Sequence, residues 1–85
     1  MNHEAVLAIL PDSESEAKSL KEIAEALGID ITRYADRIRI SRNLARVLRI
    51  LIKRGWVAYA RRQSVDGNKF WHNVYWKTES AVQHQ

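Results

Sequence analysis

The sequence predicts an α+β domain in which three or four helices precede a two-stranded β-hairpin. Three observations predict it. Helical spacing of apolar residues is confined to the first 54 positions of the 85-residue chain. Six of its seven aromatics (Trp56, Tyr59, Phe70, Trp71, Tyr75, Trp76) follow Gly55, in two runs of the kind strands favour. Between those runs, Asp66-Gly67-Asn68 is a turn signal.

The elements are justified in order. Met1 to Leu10 reads as a short helix with Val6, Leu7, Ile9 and Leu10 on its apolar side, stopped by Pro11. Asp12 to Ala17 is an acidic connection. From Ser19 to Leu27 the pattern is clearest: Leu20, Ile23, Ala24 and Leu27 share a face, Ser19 and Glu22 make a capping box, and Gly28 ends the helix. Residues 29–40 are ambiguous. They fit either a short strand from Ile29 or a helical turn capped by Thr32, and the turn is preferred. Ser41 to Arg54 reads as a long helix with Ser41 as N-cap and Gly55 as stop. At 100° per residue, Leu44, Val47, Leu48 and Leu51 fall within an arc of about 100°, and Arg42, Arg46, Arg49 and Lys53 within about 60° opposite. Trp56 to Arg62 and Phe70 to Lys77 are the strands, and 78–85 is expected to be a frayed tail. Alternation puts Phe70, His72, Val74 and Trp76 on one face of the second strand, the better core face. Trp71 and Tyr75 are then expected to be exposed, as a partner surface or a stacking site.

Charge is segregated along the chain. Residues 1–30 carry seven acids against Lys18 and Lys21; residues 31–77 carry twelve cations against Asp36 and Asp66. The net +4 conceals this division, which points to a basic surface and a polyanionic partner. No cysteine is present, which removes disulfides and thiolate chemistry and fits a cytoplasmic location. The longest apolar run, Ala5 to Leu10, is far short of a membrane span. His3, His72 and His84 are scattered, so no metal or other cofactor is expected. With no phosphate-binding glycine loop, the chain is not expected to be an enzyme.

The order of helices followed by a basic hairpin, with SLKEIAEALGI, then SRNLARVLRILIKRGWVAYARR, then VYWK, resembles a winged helix-turn-helix domain. In broad form it is similar to MarR-type regulators, and the short length and Tyr75-Trp76 ending resemble the PapI and FaeA type of pilus-operon regulator. The resemblance covers roughly residues 4–77. It implies a small prokaryotic or phage transcription regulator that binds double-stranded DNA. The helix 41–54 would be the recognition helix, and the hairpin tip at 61–69 the wing on backbone or minor groove. Gly28 to Ile40 is a departure, since 13 residues stand where a helix-turn-helix has about four. Either an insertion fills the turn or Thr32 to Arg39 is itself the partner helix.

Physical chemistry supplies the same expectation separately. Arg42, Asn43 and Arg46, in the first turns of a helix starting at Ser41, would reach base edges, where arginine pairs with guanine and asparagine with adenine. Arg49 and Lys53 would meet phosphates. Arg61, Arg62 and Lys69 flank the hairpin turn and complete the candidate DNA-binding set. One recognition helix buries little DNA, so a second copy would raise affinity. The rival reading is a protein-interaction module that uses the acidic first third or the wing aromatics.

Overall fold

The computed structural model describes residues 2–29, 32–63 and 71–84. Helix α1 spans His3–Ile9. Its N-cap is Asn2, whose Oδ1 accepts from the Glu4 N–H at 2.8 Å. Leu10 leaves the helix at ψ 141°, as a residue before proline must. The acidic connection that follows contains a single 3-10 turn, Glu14–Glu16, exposed throughout.

Lys18–Ser19 form a two-residue strand, β1, which sequence reading missed because so short a run has no periodicity to detect. Helix α2 follows at Leu20–Ala26 with the expected capping box: the Glu22 N–H donates to Ser19 Oγ at 3.3 Å, and the Ser19 N–H donates to Glu22 Oε1 at 3.1 Å. Gly28 closes it at φ +75°, where a side chain would be strained.

The main difference from expectation is α3, which runs unbroken from Tyr34 to Lys53, 20 residues. Ser41 is therefore an interior helix residue and not an N-cap, and the helix does not start at 41. The physical reason is legible afterwards. No glycine or proline lies between Arg33 and Arg54, and Ile40, four residues before Leu44, extends the same apolar arc. The connection between α2 and α3 is residues 27–33, so neither alternative for residues 28–40 holds: residues 34–40 are not an insertion in the turn, and Tyr34 to Arg39 are the first turns of α3 itself, N-capped at Arg33 and not Thr32, rather than a separate partner helix. Gly55 ends α3 at φ +78°, with the Trp56 N–H bonded back to the Leu51 carbonyl at 3.0 Å.

Strands β2 (Val57–Gln63) and β3 (Trp71–Lys77) pair antiparallel, and β1 pairs with the other edge of β3, giving the order β1-β3-β2. Both strands fall within a residue of the expected bounds. The Asp66-Gly67-Asn68 turn and Phe70 lie outside the described residues. The expected core face of β3 is corrected. Register places Val57, Tyr59, Arg61 and Gln63 opposite Lys77, Tyr75, Asn73 and Trp71, and it is this face whose inner part, Val57 and Tyr75, enters the core. Val74, on the other face, is also buried. A central strand covered on both sides shows alternation without revealing which face is inner.

The core gathers Val6, Leu7, Leu10, Ile23, Ala24, Leu44, Val47, Leu48 and Leu51 with Val57, Tyr75 and Ala81. Ala81 belongs to α4, Glu79–His84, so the expected frayed tail is helical over those positions, and Ala81 is fully buried. Thr78 holds the junction. Its Oγ1 donates to the Gly55 carbonyl at 2.6 Å and accepts from the Ala81 N–H at 3.4 Å. The architecture is thus α+β, four α-helices and one three-stranded antiparallel sheet among the described residues.

Candidate nucleic-acid interface

Burial of one side of α3 dictates what the other side presents. Leu44, Leu48 and Leu51 are at most 1% exposed. Half a turn away, Arg39, Arg42, Arg46, Arg49 and Lys53 are all exposed. Their spacing of three and four residues in alternation keeps them within an arc of about 80°. The stripe is roughly 21 Å long at 1.5 Å per residue. Arg39 pairs with Asp36 at 3.1 Å across one turn, but remains 73% exposed. Arg42, Arg46, Arg49 and Lys53 form no hydrogen bond or ion pair among the described residues. Five cations held parallel with little internal compensation form a surface that attracts a linear polyanion.

The continuous helix changes where these residues sit. Arg42, Asn43 and Arg46 were expected in the first turns; they occupy the middle of α3. Asn43 is exposed but lies about 60° around the helix from Arg46, off the centre of the stripe. Arg39 is the member the sequence reading left unassigned. The signal that finds it is the three-four alternation continued across Ser41. Arg37 is exposed nearer the helix start and borders a hollow of about 270 Å³ between α2 and α3 that Lys21 and Ile40 also line.

The hairpin divides its cations. Arg61 is exposed on the face turned toward α3, the face it shares with Tyr59. Arg62 points the other way and is half-buried, its Nη2 donating to the Glu14 carbonyl at 2.6 Å. The acidic turn and Arg62 thus hold each other, and the structure does not place Arg62 with Arg61. Lys69 lies outside the described residues. Across from β2 and β3, Arg49 forms one wall of a groove of about 410 Å³ whose floor includes Tyr59, Asn73 and Tyr75.

No group of three His, Asp or Glu side chains is placed to hold a metal among the described residues. No helix there is long and apolar enough to cross a membrane. No protein-family model matches the chain, and a search of curated proteins finds no match.

Proposed function

We propose that this chain is a winged helix-turn-helix protein that binds double-stranded DNA, with α3 as the recognition helix and the β2–β3 hairpin as the wing. In this reading it is a small prokaryotic or phage transcription regulator. The observation that carries the proposal is the five-cation stripe on the solvent face of α3. A stripe of roughly 21 Å matches about six base-pair steps of 3.4 Å. B-DNA's major groove is wide enough to admit the helix that bears it. The order of elements, with a basic helix leading directly into a hairpin, supports the same assignment.

Roles follow from position on the stripe. Arg42 and Arg46 are central and read base edges, where a bidentate arginine–guanine pair gives specificity. Arg39, Arg49 and Lys53 lie toward the two ends and neutralise phosphates, which gives affinity without sequence information. Arg61 adds a backbone contact from the hairpin. Arg62 and Asn43 leave the central set, the first because it is tied to Glu14 and the second because it lies off the stripe.

The test is a mobility shift with random duplex DNA across a salt series. The four phosphate contacts assigned to Arg39, Arg49, Lys53 and Arg61 give a log–log slope of about −3.6. Absence of duplex affinity even at low salt, with capture by a protein partner instead, removes the DNA reading.

A further inference from the structure

Tyr59 and Trp71 are the exposed large hydrophobic side chains among the described residues, at 55% and 58%. They are not scattered. Register pairs Tyr59 with Tyr75, Arg61 with Asn73 and Gln63 with Trp71, so both rings stand on the α3-facing side of the hairpin, outward of the core. The groove that Arg49 shares with Tyr59 and Asn73 lies on this side, and farther out Arg61 and Trp71 line a second hollow of about 230 Å³. Among the described residues, those lining the two hollows include two arginines and an asparagine, and no carboxylate.

We propose that this surface binds unpaired nucleotides, with bases stacked on Tyr59 and Trp71, phosphates on Arg49 and Arg61, and the Asn73 amide on a base edge. The chemistry selects this occupant. Paired bases already stack on one another, so an intact duplex offers these rings no free base face, whereas an unpaired strand offers π-faces and phosphates together. An apolar helix from a protein partner would cover Arg49, Arg61 and Asn73 without satisfying them, at a desolvation cost. The site goes beyond duplex binding by α3 and stands without it.

The experiment is fluorescence anisotropy with a labelled oligothymidine, an abasic strand of equal length as the charge control, and a labelled duplex. Stacking makes oligothymidine bind about ten-fold or more tightly than the abasic strand. Trp71→Ala lowers oligothymidine affinity roughly 5- to 100-fold and leaves duplex affinity within about two-fold, while Trp71→Phe keeps most of the single-strand affinity. Equal binding of the two strands by the unmodified protein overturns the proposal, and needs no variant to fold. So does a Trp71→Ala protein that binds oligothymidine normally. Duplex binding by the same samples separates the two readings. Its loss alone sinks the α3 assignment, and its survival beside base-independent strand binding sinks only the stacking site.

Discussion

Arg46 and Leu48 are two residues apart on α3 and face opposite ways, which makes them a matched pair of probes. Leu48 is 1% exposed at the centre of the core. Leu48→Ala should cost about 2–5 kcal/mol in chemical denaturation, enough to unfold much of a domain this small. Arg46→Ala removes an exposed side chain with no partner among the described residues, so the melting temperature should hardly move. Duplex affinity should fall by about 1–3 kcal/mol at a preferred site, with relaxed preference at one base position. A variant of Arg46 that melts early would show that its helix face is misassigned. Gly55 offers a purer backbone test. A Cβ there meets nothing within 4 Å, so Gly55→Ala is opposed only by the φ of +78°. The expected loss is about 1–2 kcal/mol, measured by denaturant midpoint.

At the scale of the element, two serines that look alike in sequence separate. Ser19 and Ser41 each precede an amphipathic run, but only Ser19 caps a helix. Ser19→Ala should cost about 1 kcal/mol, since the Glu22 N–H loses its acceptor. Ser41→Ala should be neutral or slightly stabilising, since alanine is the better interior helix former. A loss at Ser41 equal to that at Ser19 would mean a break in α3. The same pair shows what the sequence makes legible. Capping boxes, glycine stops and the amphipathic arc of α3 are local and were readable. Whether a serine begins a helix or lies inside one depends on what the preceding turn packs against, which is not local. The two strands were readable for their aromatic content, yet their inner face was not, because β3 is covered on both sides. Arg61 and Arg62 seemed equivalent because what separates them, the Arg62 bond to the Glu14 carbonyl, joins residues 48 apart in sequence. They now predict different losses: Arg61→Ala should weaken duplex binding and flatten the salt slope by about one unit. Arg62→Ala should leave both unchanged while freeing the 12–16 segment, read as faster amide exchange at Glu16 and Ala17.

Across the whole molecule, the segment after α1 and the segment that leads into α4 meet at the base of the hairpin. The Lys77 N–H donates to the Pro11 carbonyl at 2.7 Å, and Lys77 Nζ lies 3.3 Å from Asp12 Oδ1. Thr78 bonds to Trp56 and Gly55, and Ala81 then enters the core beside residues of α1 and α3. Asp12 is 67% exposed, so the ion pair itself contributes little. The join is carried instead by backbone bonds and by Ala81, whose methyl is fully enclosed. The apolar cluster that holds Ala81 offers a carboxylate no charged partner, and the buried cation nearby in sequence, Lys77, is already paired with Asp12. Ala81→Asp should therefore destabilise the protein by several kcal/mol, or expel α4 from the core. Ala81→Ser is the milder control, with a cost of about 1–3 kcal/mol for one buried hydroxyl. Both are read by thermal unfolding, with duplex binding measured below the transition. If α4 is a structural brace, affinity at low temperature should survive in Ala81→Ser, because the α3 stripe does not depend on it. Ala81→Asp with an unchanged melting temperature would mean that 79–84 is not docked in solution, and the hairpin base would then be closed by Thr78 and Lys77 alone.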